Sequence, residues 1–216
     1  MEKRYQIALN DLINYLKNSR FLNDKNMENA FRKIPRHEFV LESDLDYAYY
    51  NEPLLIMKNQ TISQPAVVSR MTEWLDVREG QKILEIGTGS GWQTAILSYM
   101  VGKGTVYSVE IKPELVKFAR KNLDKLGIKN VNVISSDGSI GYPQASPYDR
   151  IIITAACSEI PLPLIDQLAE NGLIIAPVGD SMQSLILLQK TSQGIVEIKN
   201  QSNYVFVPLL GKFGKK

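Results

Sequence analysis

The residues best able to do chemistry in this chain are acids and hydroxyls, because the usual catalytic bases are nearly absent. The chain has 216 residues but only one histidine, His37, and one cysteine, Cys157. A Cys/His zinc cluster needs more ligands than these, so no metal site is expected. A Ser-His-Asp hydrolase would have to recruit His37. Against that scarcity stands one dense run, Ile83-Leu84-Glu85-Ile86-Gly87-Thr88-Gly89-Ser90-Gly91-Trp92. An apolar strand passes into three alternating glycines, which allow positive φ and let a ligand approach the backbone closely. Two further acids close the next apolar runs, in Ser108-Val109-Glu110 and Ser136-Asp137-Gly138.

The ligand class follows from what the turn lacks. A dinucleotide fingerprint needs glycine where Trp92 stands, and a phosphate-binding P-loop needs a Gly-Lys-Ser/Thr end that is missing. Glu-x-Gly-x-Gly-x-Gly is the form suited to S-adenosylmethionine, whose ammonium meets an acid such as Glu85, directly or through water. Glu110 can accept both ribose hydroxyls with its two oxygens. Asp137 can receive the adenine amine, and Gly138 leaves room for the ring. The cofactor-binding set is therefore Glu85, Gly87, Gly89, Gly91, Glu110 with its neighbour Ile111, Asp137 and Gly138. Dinucleotide binding remains an alternative, since a ribose-binding acid serves it too.

These residues need a scaffold that brings strand ends together. Tyr5, Leu9, Leu12, Ile13 and Leu16 form a helical stripe. A second helix fits Asn26–Lys33 and stops before Ile34-Pro35. Residues 36–63 read as an irregular segment with short strands. A helix fits Gln64–Val77, and apolar strands fit Lys82–Ile86, Thr105–Glu110, Val131–Ser135, Arg150–Thr154 and Gly172–Val178. Helices fall between them: after Gly91, over Pro113–Leu126 and over Pro161–Ala169. Strands apolar on both faces, alternating with helices, predict an α/β, doubly wound, mostly parallel sheet covered on both sides. Ser184–Lys190, Ile195–Lys199 and Tyr204–Leu209 read as an antiparallel C-terminal edge. The division expected is a cover and active-site loop over 1–63, a cofactor-binding domain over 64–211 and a frayed tail over 212–216, all in one compact unit.

Net charge is +2 and no Lys/Arg block stands out, which disfavours a polyanion partner such as nucleic acid. Residues 1–15 lack the apolar core of a signal peptide, and no apolar run reaches the roughly 18 residues of a membrane helix. A single cysteine suits a reducing compartment, so a cytoplasmic protein is expected. Cys157 reads as a small filler residue, and His37 and Trp74 read as structural.

Gln60-Thr61-Ile62-Ser63-Gln64-Pro65 reads locally as a helix start, with Ser63 as cap and Pro65 in the first turn. Together with Ile34-Pro35-Arg36-His37-Glu38-Phe39-Val40, Leu84–Gly91, Asp137-Gly138, Pro147-Tyr148-Asp149-Arg150, Thr154-Ala155-Ala156, Pro177-Val178-Gly179 and Phe206-Val207-Pro208-Leu209, it resembles the protein-L-isoaspartate O-methyltransferase family over roughly residues 30–211. The resemblance implies a seven-stranded methyltransferase sheet with N-terminal helices and a rearranged C-terminal end. It implies S-adenosylmethionine as methyl donor. The implied partners are damaged proteins and peptides carrying L-isoaspartyl residues and, less well, D-aspartyl residues, with no nucleic acid, membrane or metal. Ser63 matches the family's active-site serine. By the same resemblance Gln60, Thr61 and Ile62 line the site beside cofactor and substrate, and Val205, Val207 and Pro208 help hold the substrate backbone. The family usually carries glycines before Gln-Thr-Ile-Ser, where this chain has Ile56-Met57-Lys58-Asn59, which predicts a stiffer or reshaped loop. Two other readings share the cofactor turn: a methyltransferase of another substrate, and a silent binding module of the same fold. An isoaspartyl peptide assayed against its aspartyl twin separates them.

The implied chemistry suits a histidine-poor chain. An isoaspartyl residue leaves its α-carboxyl free, with a pKa near about 3.5, so it is ionised at pH 7 and needs no base. Methyl transfer from a sulfonium neutralises both charges, so strong charge stabilisation at the reacting atoms would favour the ground state. Alignment remains, and it can supply up to about 7–11 kcal/mol.

Overall fold

The computed structural model describes residues 2–214. Helix α1 (Lys3–Asn18) buries the predicted stripe, Tyr5, Leu9, Leu12, Ile13 and Leu16. Helix α2 (Lys25–Lys33) starts at Asp24, whose side chain accepts from the Met27 amide at 2.8 Å, and ends just before Ile34-Pro35. Residues 36–63 hold short 3-10 turns and a small antiparallel pair, β1 (Leu54–Leu55) with β2 (Thr61–Ile62). Helix α3 (Pro65–Trp74) then leads to the main sheet.

That sheet contains β3 (Lys82–Ile86), β4 (Thr105–Glu110), β5 (Val131–Ser135), β6 (Tyr148–Ile153), β7 (Leu168–Val178), β8 (Gln183–Thr191) and β9 (Gly194–Tyr204). Their spatial order is β5-β4-β3-β6-β7-β8-β9. The first five are mutually parallel, and β8 runs antiparallel to both its neighbours. Helices α4 (Trp92–Val101), α5 (Pro113–Lys125) and α6 (Leu162–Asp166) fill the crossovers. Alternate residues divide between two apolar layers. Ile83, Val106, Ile152, Ile175, Leu185 and Leu187 pack with Met71 and Leu75 at α3 and with Leu97 and Val101 of α4. Leu84, Ile86, Val109, Ile151, Ile153 and Ile174 pack with Tyr148 and with Leu164 of α6. The sheet is thus covered on both faces, as the two-sided apolar strands demand.

Connections leave β3 toward β4 on one side, while β6 lies on its other side. This reversal puts a crevice at the carboxyl ends of β3, β4 and β6, where ligands of open α/β sheets sit.

Three expectations need correction. Helix α6 stops at Asp166, short of Ala169, because Leu168 pairs with Tyr148 to begin β7 and the Gln167 side chain donates to Ile140 O and Pro163 O. Tyr204–Leu209 is not a third strand. Strand β9 runs unbroken to Tyr204, and Asn203, with φ of +76°, turns the chain at its end. The strap beyond it crosses to the end of β6, where the Ala156 amide donates to Val207 O and the Leu209 amide to Ala156 O, both at 2.7 Å. The start of the tail is also not frayed. Lys212 N donates to Asp137 Oδ2 at 2.7 Å and Phe213 N to Ser139 Oγ at 3.0 Å; residues 215–216 lie outside the described residues.

Candidate active site

The glycine turn opens a cleft of about 610 Å³. Its floor is Gly87, Thr88 and Gly89, and its walls include Gln60–Ser63, Glu110–Lys112, Gly138, Thr154-Ala155 and the strap 205–210. Gly87, Gly89 and Gly91 all take positive φ, at +95°, +56° and +87°. At Gly87 a side chain is excluded twice over, since a Cβ there would lie 2.4 Å from Thr154 Oγ1. A Cβ on Gly138 would lie 2.6 Å from Ile86 Cγ2, so the bare backbone keeps that wall open.

Glu110, 6% exposed, stands at the edge of the floor. Its Oε2 accepts from Gly89 N and its Oε1 from Lys112 N, both at 3.0 Å. The carboxylate therefore fixes the glycine turn to the start of α5. Each oxygen keeps a further lone pair for a ligand hydroxyl. Ile111 lies beside it in the wall, 38% exposed.

Glu85 and Asp137 occupy other places than the sequence suggests. Glu85 is fully buried beneath the turn and does not line the cleft. Its Oε2 accepts from Thr94 Oγ1 at 2.5 Å and from Ser108 Oγ at 2.6 Å, while Oε1 has no partner. Burial pushes its pKa up to about 7, opposed by those two hydroxyls and assisted by the Glu110 charge. It is a support under the turn, and a direct meeting with the cofactor ammonium does not fit its position. Asp137 is likewise absent from the cleft wall. Its Oδ1 accepts from the Ser139 amide and hydroxyl, and its Oδ2 from Lys212 N. Burial works against its ionisation, but these hydrogen bonds outweigh it and hold its pKa below the usual carboxylate range. Asp137 is committed to the C-terminal segment, and only Gly138 faces the cleft.

Across the cleft, Thr61 and Ile62 arrive on β2 with Ser63 directly after it, and no group among the described residues hydrogen-bonds the Ser63 hydroxyl. Gln60 turns its amide back onto Lys58 O and Asn59 O at 3.2 Å. Lys58 and Asn59 hold φ of +60° and +56°, so this loop takes a left-handed path without glycine, at a cost of roughly 1–2 kcal/mol at Lys58 and less at Asn59, whose side chain tolerates that region. An ion pair from Lys58 Nζ to Glu114 Oε1 at 2.7 Å ties the loop to α5. Val205, Val207 and Pro208 line the cleft from the strap, with Val205 80% exposed.

Thr88, Lys112 and Thr154 also line the cleft, although sequence reasoning did not single them out. Thr154 was readable as a polar residue at a strand end: its hydroxyl reaches Ile86 O at 2.9 Å and Gly87 O at 2.8 Å. Cys157 is buried, with its thiol pKa pushed up to about 12 by desolvation, which suits a filler and not a nucleophile. His37 stacks on Tyr5 at 4.0 Å and shares a 2.7 Å hydrogen bond with Tyr49 OH, a structural setting. Among the described residues no group of three or more His, Cys, Asp or Glu could hold a metal ion, and no helix is long and apolar enough to cross a membrane.

A glycine turn after the first parallel strand, a cleft-edge acid at the end of the second and an open wall after the third are the arrangement of a doubly wound S-adenosylmethionine-dependent methyltransferase. Comparison narrows the class. Residues 7–214 match the Protein-L-isoaspartate(D-aspartate) O-methyltransferase (PCMT) family. The chain is similar to the protein-L-isoaspartate O-methyltransferase of Pyrococcus horikoshii, at 46% identity over 204 residues, covering 94% of this chain and 92% of the relative. It is 50% identical over 188 residues to protein-L-isoaspartate O-methyltransferase 2 of Archaeoglobus fulgidus, covering 87% and 86% of the two chains. A solved protein-L-isoaspartate O-methyltransferase superposes with a TM-score of 0.87 at 32% identity, over 95% of this chain and 67% of that one. A Plasmodium falciparum structure of the same description, in complex with S-adenosyl-L-homocysteine, shares the fold with a TM-score of 0.82 at 24% identity, over 93% and 97%. The chain belongs to the protein-L-isoaspartate(D-aspartate) O-methyltransferase family.

Proposed function

We propose that this chain repairs damaged proteins and peptides by methylating the free α-carboxylate of L-isoaspartyl residues, and more weakly of D-aspartyl residues, with Ser63 as the residue that aligns the carboxylate. The observation that carries the reading is the juxtaposition across one cleft of a free Ser63 hydroxyl with the glycine turn and Glu110. When bound, S-adenosylmethionine supplies an electrophilic methyl group on a sulfonium. Gly87 and Gly89 would give its chain a bare backbone, Glu110 would take the ribose hydroxyls, Gly138 would leave a flat wall for adenine and Ile111 would lie alongside; Gly91 does not line the cleft and instead lets the turn pack closely on Ala119 of α5. Glu85 and Asp137 hold these groups in place from behind.

On the substrate side, Ser63 donates its hydroxyl to one carboxylate oxygen and leaves the other free to attack the methyl group. It forms no covalent bond. Gln60, Thr61 and Ile62 close the near wall, and Val205, Val207 and Pro208 offer exposed backbone and apolar surface to the chain on either side of the isoaspartyl residue. The neighbouring amide nitrogen of the substrate then attacks the ester carbonyl and expels methanol, closing a succinimide without help from the protein, and water reopens it in part as normal aspartate. No proton has to be moved by the protein, which agrees with a cleft that holds neither His37 nor Cys157.

Residues 1–63 act as cover and substrate wall, and 64–211 as the cofactor-binding unit. The near-neutral charge favours protein over nucleic-acid partners, and the lone free thiol favours a reducing, cytoplasmic setting. Steady-state kinetics of Ser63→Ala test the assignment. We expect kcat to fall at least tenfold while S-adenosylhomocysteine binds within about threefold of wild type. An unchanged kcat removes Ser63 from the mechanism.

A further inference from the structure

Arg36 is one of the largest fully buried side chains, at 1% exposure, and it carries a charge. No carboxylate among the described residues forms an ion pair with it. A buried, unpaired cation costs several kcal/mol, so its retention calls for a specific compensating arrangement. Burial lowers its pKa, yet a guanidinium stays protonated at neutral pH.

The hydrogen bonds of Arg36 go wholly to backbone carbonyls and come from the two terminal nitrogens, while Nε has no partner among the described residues. Nη1 donates to Ala48 O at 2.7 Å and lies 3.4 Å from Tyr50 O. Nη2 donates to Glu52 O at 2.9 Å and to Ser63 O at 3.1 Å. Glu52 lies two residues before β1, and Ser63 follows β2 directly. One nitrogen therefore joins the two strands at the open end of the small pair, where Leu54 faces Ile62. The same segment is held from the other side, where Gln64 Nε2 donates to Asn51 O at 2.8 Å and the Ala66 amide to Asn51 Oδ1 at 2.9 Å. The guanidinium carbon also lies 5.1 Å from the centre of the Trp92 ring, a cation–π distance. Trp92 is the first residue of α4, directly after Gly91 of the cofactor turn.

We propose that Arg36 is a positioning residue for methyl transfer: it locks the Ser63 peptide against the 48–52 segment and against Trp92, so that the substrate wall keeps a fixed distance from the cofactor turn. Its rigid planar fork is what makes this possible. A lysine ammonium at the same place is a point donor that can serve some of these carbonyls but not the spread of four, and it stacks less well on the ring. The proposal rests on the reading of Ser63 as the aligning hydroxyl. Arg36 does not line the cleft, so it acts through Ser63.

The test is a double-mutant cycle with Arg36→Lys and Ser63→Ala, measuring kcat and KM for an isoaspartyl peptide and the Kd of S-adenosylhomocysteine by calorimetry. A misalignment of the order of 1 Å costs up to about 100-fold in rate. R36K is expected to lower kcat by about 10- to 100-fold and leave the S-adenosylhomocysteine Kd within about threefold. In the S63A background R36K should lower kcat by less than about threefold, because the aligned group is already gone. A role in folding alone predicts equal loss in both backgrounds, and that additivity overturns the proposal while leaving the Ser63 reading intact. A normal kcat in S63A itself overturns both. If R36K does not fold, Arg36→Gln takes its place in the cycle, with S-adenosylhomocysteine present to favour the folded state. Failure of both variants to fold assigns Arg36 to the core alone and overturns the proposal.

Discussion

Replacing Glu110 by glutamine changes one atom in the side chain and tests how the cofactor site is built. Both Glu110 oxygens already accept a backbone amide, from Gly89 and from Lys112. The glutamine amide has one acceptor oxygen. Its NH2 group must face one of those two N–H donors, so a donor meets a donor in a place 6% exposed. A buried unsatisfied group costs about 1–3 kcal/mol, and that is the expected loss of stability without ligand. Binding suffers separately. A hydrogen bond to a charged group contributes about 1.5–3 kcal/mol, and the NH2 group loses the acceptor role toward one ribose hydroxyl. At about 1.4 kcal/mol per factor of ten, the Kd of S-adenosylhomocysteine should rise roughly 10- to 150-fold. Titration calorimetry reads the affinity, and urea unfolding of the free protein reads the stability. A Glu110→Gln variant that binds within threefold of wild type refutes the ribose assignment. One that binds poorly at unchanged stability refutes the account of the turn's anchoring.

Other perturbations address the remaining parts. Glu85 has a native pKa raised to about 7, so between its unfolded value near 4.5 and 7 the native state holds more protons than the unfolded one, and its contribution to stability falls as pH rises. Relative to wild type, Glu85→Gln should therefore gain roughly 3 kcal/mol between pH 4.5 and 8 in urea titrations; parallel pH profiles contradict this. Gly87→Ala combines a φ of +95° with a Cβ 2.4 Å from Thr154 Oγ1. It should cost about 2–5 kcal/mol in unfolding free energy, and a loss below 1 kcal/mol contradicts the tight packing. Cys157 should resist iodoacetamide in the native state at pH 8 and react once unfolded in urea. Rapid native labelling would mean a more open environment than a pKa near 12 and full burial describe.

What could be read in advance followed the range of the interactions involved. Strand, glycine turn and helix at 82–101 are encoded by adjacent residues, so the cofactor floor was legible from Leu84–Gly91 alone. The place of Glu110 at the cleft edge was legible because the apolar run of β4 ends at it beside the switch point. Glu85 and Asp137 were recognised as important acids, but their places were not, since burial of Glu85 depends on Thr94 and Ser108 and the turning of Asp137 depends on Lys212. The strap 205–209 has the apolar, β-branched composition of a strand. Only the left-handed turn at Asn203 and the distant partner Ala156 take it off the sheet edge. Arg36 gave no local signal, because its four acceptors are scattered over residues 48–63.

The central claim is that the cleft methylates a free α-carboxylate which only an isoaspartyl linkage provides. The direct measurement is transfer of tritiated methyl from S-adenosylmethionine to an isoaspartyl peptide and to its aspartyl twin, with the label then released by mild base. We expect base-labile label on the isoaspartyl peptide alone, its rate of appearance cut at least about tenfold in Ser63→Ala. Equal labelling of both peptides, or label on neither, contradicts the account.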